Sequence, residues 1–411
     1  MIKSQEFSKE WTKKEIIVFK AVFTYFCFYI FLMFFSSFFE TPFRWFGSLL
    51  GFTYEYSVSG NGSGDNTYAF VTFYTTIVLS ILVSTIWILT DCNKKSYNKL
   101  FYWFIVVLRI FLICAMLLYG FVKIFKVQFP DPSLSKLMQP LGDFSPMGLA
   151  WTYMGHSKMF NVFVGAMEVL GGLLLIPRRT QTIGSFIVTG VMTHVLIMNL
   201  CFDIPVKLFS AHLVLMSLVI FLTDIKRFIN VFIMNKSVGA YKYYQPINNK
   251  KYLKIIRILK IVGLSIIILG ASIFMFQAER KLNNYKKPVF YGVWETEYFI
   301  KNKDTLLPLI TDGKRWRYLI IQKKDKALVK YMNDKTESFY FSVDTISEKI
   351  SFRSFEDKNN SILKYTSIKP NFMELKGKID NDSLHITLKK KDEFLLKSRG
   401  FNWINESPFN R

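Results

Sequence analysis

Residues 158–179 read KMFNVFVGAMEVLGGLLLIPRR, an apolar run ended by a proline and two arginines. It is long enough to cross a bilayer, which takes about 20 apolar residues. It carries one carboxylate, Glu168, flanked by glycines. At helical periodicity Asn161, Gly165, Glu168 and Gly172 share one face. Small residues on such a face let a neighbouring helix approach closely.

Working outward, further apolar runs lie at 17–38, 68–90, 101–123, 181–201, 206–224 and 255–277. With 158–177 they predict about seven spanning helices. Of the 411 residues 51% are apolar and 17% aromatic, and 42 phenylalanines supply most of that aromatic share, as lipid-facing helices require. The net charge of +23 therefore points to anionic lipid headgroups. Zinc spacing, helix-turn-helix patterns and RNA-binding aromatic signatures are missing, so nucleic acid is not an expected partner. Basic loops alternate: Lys3 to Lys14, Lys94 to Lys99, Arg178-Arg179 and Lys226 to Lys254 fall on one side. That predicts a cytoplasmic N-terminus and, after seven spans, an external C-terminus, although Arg280, Lys281, Lys286 and Lys287 run against the rule.

From about 288 the pattern changes to short alternating segments separated by turn signals such as Thr311-Asp312-Gly313. They lie at 294–300, 316–322, 327–332, 339–343, 349–355, 362–367, 372–376, 383–388 and 394–398. The expected fold is thus an integral membrane α-helical bundle plus a soluble, mostly-β C-terminal domain, either a meander or a small barrel. The expected divisions are 1–100, 101–226, 227–287 and 288–411. Cys27, Cys92, Cys114 and Cys201 lack metal-ligand spacing, and packing is their expected role.

Ionisable residues inside spans are costly and usually face a cavity or a partner. Arg109 and Lys123 share a helix face about 21 Å apart. Lys123 is expected at the outer interface, and Arg109 within reach of Glu168. His194 is the one titratable group on its helix face, and His212 lies near Lys207. By depth, Glu168, His194 and His212 converge in the outer half, with Arg109 beneath and Lys123, Asp203 and Lys207 around the mouth. Two readings fit: a functional pocket, or structural pairing between helices. No ligand pair at i, i+3 or i+4 joins these groups, so a metal is not expected. The connection 124–157 is apolar and broken by prolines, and reads as interfacial or re-entrant helices roofing the bundle. Ser59 to Asp65 reads as a flexible turn, and His385 as a lone, solvent-facing histidine.

Three stretches resemble the DoxX/DoxD-like membrane family: Arg109 with Gly120-Phe121-Val122-Lys123, the run Phe163 to Leu175, and Arg178-Arg179-Thr180. Asn199, Asp203 to Leu208 and His212 are similar to a larger bacterial branch, as are Ser63-Gly64-Asp65 and Ser145-Pro146-Met147-Gly148. The resemblance covers about 60–225. It implies a four-helix core within a bacterial inner-membrane protein, and an association with membrane redox chemistry in which quinone is the cofactor. In that setting Glu168 and His194 exchange protons while Arg109 holds either Glu168 ionised or a semiquinone anion in place, and Lys123, Asn199, Asp203, Lys207 and His212 contact substrate. The β domain then docks a redox or envelope protein. The resemblance leaves open whether the chain is itself an enzyme. A binder or transporter of a lipid or small metabolite, and a non-catalytic envelope scaffold, fit the same residues.

Overall fold

Hydropathy sets the helices, and local capping chemistry sets where they begin. Thr12 opens α1 (Lys13–Phe35) with a capping box: its hydroxyl accepts from the Glu15 N–H while the Glu15 carboxylate accepts from the Thr12 N–H. A short 3-10 turn leads to α2 (Glu40–Leu49). Asn66 caps α3 (Thr67–Thr90) in the same manner. Then follow α4 (Asn98–Ile124), the short α5 (Leu134–Leu137), α6 (Pro146–His156), α7 (Lys158–Leu174), α8 (Gln181–Cys201), α9 (Lys207–Leu222), α10 (Ile225–Phe232) and α11 (Lys250–Asn283). This computed structural model describes residues 11–53, 62–239, 244, 249–355, 361–369, 371–379, 382–391 and 393–410.

Each of the seven expected spans forms a helix. Among the described residues five helices are long and apolar enough to cross a membrane, and up to seven if each of two bent pairs counts as one span. The pairs are α6 with α7, bent by 98°, and α9 with α10, bent by 73°. At 17 and 16 residues, α7 and α9 are about 25 Å long.

The chain forms two compact units: Met1–Gln128 with Met159–Ala278, and Phe129–Lys158 with Glu279–Arg411. In the helical unit α4 is the central element. Its Leu108, Leu112 and Met116 are fully enclosed, packing in one core with Val188 of α8, Leu213 and Met216 of α9, and Phe19 and Phe26 of α1. The thiols depart from expectation: Cys27, Cys92 and Cys201 are exposed and Cys114 is half-buried. A small apolar side chain suits the outward face of an apolar helix as well as a core.

The second unit is a closed β-barrel. Its strands are β1 (Gly292–Lys301), β2 (Asp304–Thr305), β3 (Trp316–Lys323), β4 (Lys326–Tyr331), β5 (Thr336–Asp344), β6 (Lys349–Ser354), β7 (Ser361–Lys369), β8 (Phe372–Ile379) and β9 (Asp382–Lys390). Sequence neighbours pair antiparallel from β3 to β9, and β1 pairs with both β3 and β9, closing an eight-stranded ring with β2 appended to β1. The interior is packed: Phe299, Trp316, Leu319, Phe352, Leu363, Leu375 and Ile386 are among the buried side chains that fill it, as expected of a barrel this small. The expected strand at 394–398 is instead α12 (Leu395–Ser398). Once β1 has paired with β9 the ring has no free edge to accept a further strand.

The apolar run of β3 explains a second departure. Leu319 and Ile321 point into the barrel, yet Tyr318 and Ile320 on its outer face are buried too, beneath Leu134 and beside Val293. Lys330 of β4 donates to the Met138 carbonyl (3.0 Å), and Gln322 to the Ser135 hydroxyl (3.3 Å). The expected roof over the helices, in its 134–138 portion, is therefore a cover for the barrel wall. His385 is half-exposed, with Nε2 3.7 Å from the Glu374 carboxylate.

One buried guanidinium braces the register shift in the seam that closes the barrel. The β1–β9 register shifts between Thr296 and Tyr298, which takes carbonyls out of the ladder. Arg315, only 3% exposed, donates to the backbone carbonyls of Thr296 and Glu297 (both 3.3 Å) and of Leu306 (3.1 Å). Arg315→Met is expected to destabilise the barrel by about 3 kcal/mol, read as faster hydrogen exchange of the β1 and β9 amides in the full chain. Unchanged protection there would refute the assignment.

Candidate functional site

Two glycines decide which polar groups meet inside the helical unit. A Cβ on Gly120 of α4 would lie 2.7 Å from the Gly165 carbonyl, and one on Gly165 of α7 would lie 2.5 Å from the Gly120 carbonyl. The helices thus touch backbone to backbone at this crossing. Further along, Gly172 rests against Met116, so α4 and α7 run antiparallel. Lys123 and Glu168 each lie three residues beyond a crossing glycine. The Lys123 ammonium donates to both Glu168 carboxylate oxygens, at 2.8 and 2.9 Å. The side chains are 4% and 1% exposed, a fully enclosed ion pair.

This corrects the expected partnership. Arg109 does not reach Glu168. It donates to the carbonyls of Leu175 (2.6 and 3.0 Å) and Ile176 (2.9 Å), where α7 ends and its last carbonyls lack helical partners. Lys123, expected at the interface, takes its place. Counting depth from helix ends misplaced both residues, because the glycine crossing, and not the ends, sets the register of α4 against α7.

Tyr119 links this pair to a cavity of about 450 Å³. The Lys123 ammonium lies over its ring at 5.3 Å, and Glu168 is within electrostatic reach of its phenol. Tyr29, Tyr68, Phe73, Phe209 and His212 line the same cavity, with Ser36, Ser63, Asn66 and Thr72 as polar groups. His212 stacks on Tyr29 with ring centroids 3.7 Å apart and planes 5° from parallel. Its Nδ1 lies 2.6 Å from the Leu208 carbonyl, which can only accept, so Nδ1 carries a proton. Nε2 then accepts from the Tyr25 hydroxyl at 2.7 Å. These two bonds lock the imidazole in plane.

One rim of the cavity is built by the Ser63-Gly64-Asp65 segment. Asp65 accepts from the backbone N–H groups of Lys207 (2.7 Å) and Leu208 (3.0 Å), capping α9 across 142 residues of sequence, and Gly64 N–H donates to the Pro205 carbonyl. The reading as a flexible turn is corrected for residues 62–65. The rest of that stretch, 59–61, lies outside the described residues. Asp203 and Lys207 form an ion pair at 2.7 Å. Asn199 is buried and donates to the Ser210 hydroxyl at 3.0 Å, so it holds α8 to α9.

His194 does not join the cavity. It lies exposed on α8, within electrostatic reach of Glu168. A side chain added at Gly190, one turn earlier, would meet nothing within 4 Å, so this face of α8 is open. The structure therefore unites Lys123 with Glu168, joins Asp203 to Lys207, and sets His212 in the cavity wall, while Arg109 and His194 stand apart. Tyr25, Tyr29 and Tyr119 were missed because aromatic residues abound in every span and carry no distinguishing pattern. Lys20 was missed as well. It is 1% exposed, donates to the Trp87 and Asp91 carbonyls (2.9 and 3.0 Å), and ties α1 to the end of α3.

Fold and cavity define a class: a bundle of long apolar helices with an aromatic-lined cavity, in one chain with a closed β-barrel. No protein-family model and no solved structure matches the sequence. A curated protein of Bacillus subtilis (strain 168), "Uncharacterized protein YwoB", is 30% identical over 124 residues, which are 30% of this chain and 79% of YwoB. The chain belongs to the family of YwoB.

Proposed function

We propose that this is a multi-pass protein of the bacterial inner membrane whose aromatic cavity binds the head ring of a quinone, and that it serves as the quinone-handling subunit of an oxidoreductase. The observation that carries this reading is the parallel His212–Tyr29 stack in the cavity wall, with Tyr119 set between the cavity and the buried Lys123–Glu168 pair. The resemblance to DoxX-like proteins points the same way.

The lining suits such a ligand. Rigid parallel rings favour a flat ring by offset stacking, and the Ser63, Asn66 and Thr72 side chains add polar atoms to the lining. A bound quinone would supply two-electron, two-proton redox chemistry. The chain's own residues position the ring and hold a carboxylate behind Tyr119. Glu168, fixed by Lys123 and adjoining Tyr119, is the group placed to exchange protons with the cavity.

The compact units support seven crossings. Segments 129–158 and 279–411 pack together, so both lie on one side of a membrane. The chain then crosses an even number of times between them, four when α7, α8, α9 and α11 all span. Together with the basic loops this supports a cytoplasmic N-terminus and an external barrel. The exposed apolar surface of α11, including Leu259, Ile266, Leu269 and Phe274, suits contact with acyl chains. The barrel is filled inside, so it acts through its outer surface, where we place a docking redox or envelope protein.

The test is mass spectrometry of organic extracts from protein purified in mild detergent, wild type beside Tyr29→Leu and His212→Leu. We expect stoichiometric quinone in the wild type and a loss of about tenfold in each variant, the effect of about 1.4 kcal/mol of lost stacking and hydrogen bonding. A defined lipid or metabolite in its place would move the site to a binder or transporter. Extracts matching bulk membrane lipid in all three proteins would leave the scaffold reading.

A further inference from the structure

A second cavity, of about 310 Å³, lies at the opposite end of α4 from Lys123. Four guanidinium groups line it: Arg109 from α4, Arg178 and Arg179 from the turn between α7 and α8, and Arg227 from α10. Asp224 is the one carboxylate in the lining. It is already engaged, accepting from the Thr182 hydroxyl at 2.9 Å and lying 3.6 Å from Arg227. Four positive groups against one negative leave the cavity at +3. Lys260 of α11 is close enough to feel the charges of both Arg109 and Arg178. Arg109 is held by the Leu175 and Ile176 carbonyls and Arg178 donates to the Tyr244 carbonyl (3.1 Å), but carbonyls carry no net charge, so like charges gathered this closely still repel and a bound anion lowers that repulsion further.

Part of the lining is apolar. Phe101, Ile105 and Val106 of α4 face the same space. A free inorganic anion has no use for that surface, whereas an amphiphile with a charged head and a hydrocarbon body meets both parts. Arginine favours phosphate in particular, because its planar fork donates two parallel hydrogen bonds.

We propose that this cavity binds the phosphate of an anionic phospholipid headgroup, with the guanidinium groups on the phosphate and the α4 wall against the start of the lipid tails. The inference rests on insertion of the helices in a membrane and is independent of the quinone reading. The membrane side assigned above to the Arg178-Arg179 turn is the cytoplasmic one, where anionic lipids offer such headgroups.

The test uses the full chain in phosphatidylcholine nanodiscs doped with phosphatidylglycerol, with lipid retention read by native mass spectrometry. Arg179→Gln and Arg227→Gln each remove one charge. Gln181→Glu places a carboxylate in the lining at the first residue of α8, where a negative side chain suits the helix and folding is kept. Phosphatidylglycerol should be retained in preference to phosphatidylcholine by the wild type, and each substitution should cut that preference roughly fivefold. His212→Leu should leave it unchanged, which separates this site from the aromatic cavity. Release of the lipid by millimolar inorganic phosphate would reassign the occupant to a free anion at the same site. Equal retention of both lipids, or no loss in Gln181→Glu, would overturn the proposal.

Discussion

Lys123→Met will lower the unfolding free energy of the helical unit by about 3–5 kcal/mol, the cost of leaving a buried charge without its partner. Glu168 is 1% exposed and takes both of its short hydrogen bonds from the Lys123 ammonium. After the substitution it must either stay charged in an enclosed site or take up a proton. Glu168→Gln strands Lys123 in the same way and should cost a similar amount. The double variant Lys123→Met with Glu168→Met should recover most of the loss, because exchanging an entire buried pair for apolar groups of similar size is close to neutral. Detergent-unfolding curves on the four proteins give the stabilities. The double variant also separates function from structure. If quinone retention returns together with stability, the pair only fastens α4 to α7. If stability returns and retention does not, the carboxylate serves the cavity.

Gly165→Ala should have an effect nearly as large, about 3 kcal/mol, at the upper end of what overpacking costs. The added methyl would sit 2.5 Å from the Gly120 carbonyl and 3.0 Å from the Ile124 nitrogen. Both are backbone atoms, so no side chain can swing aside and the helices must separate. That movement would also pull Glu168 away from Lys123, three residues further along. Gly190→Ala is the matched control, since nothing lies within 4 Å of its added carbon. It should be neutral or gain up to about 1 kcal/mol from helix propensity. Equal melting of the two variants would remove the Gly120–Gly165 crossing as the element that sets the register.

Much of the architecture is legible in the residues themselves. Runs of about 20 apolar residues mark the helices because the bilayer's thickness and the 1.5 Å rise leave little freedom. Alternating segments after 288 mark the strands for an equally local reason, the period of two along a pleat. Closure was not local: β1 pairs with β9, 83 to 96 residues away in the register Lys301↔Leu384 to Trp294↔Lys390, and that pairing turned the ninth expected strand into α12. The cover over β3 had a trace in the sequence. Tyr318-Leu319-Ile320-Ile321 is apolar on both faces, so something had to bury the outer one, but which segment did so depended on the fold.

The candidate site divides along the same line. By itself the sequence determined which charged groups lie inside spans, and that Glu168 shares a face with Gly165 and Gly172, because periodicity along one helix is a local property. Only the tertiary structure decided that Lys123 and not Arg109 meets Glu168, that Asp65 caps α9, and that His212 stacks on Tyr29 of the first helix. Depth along a helix follows from counting residues. The rotation of each helix, and its register against its neighbours, follow from where backbones can touch, and that is a property of pairs of helices.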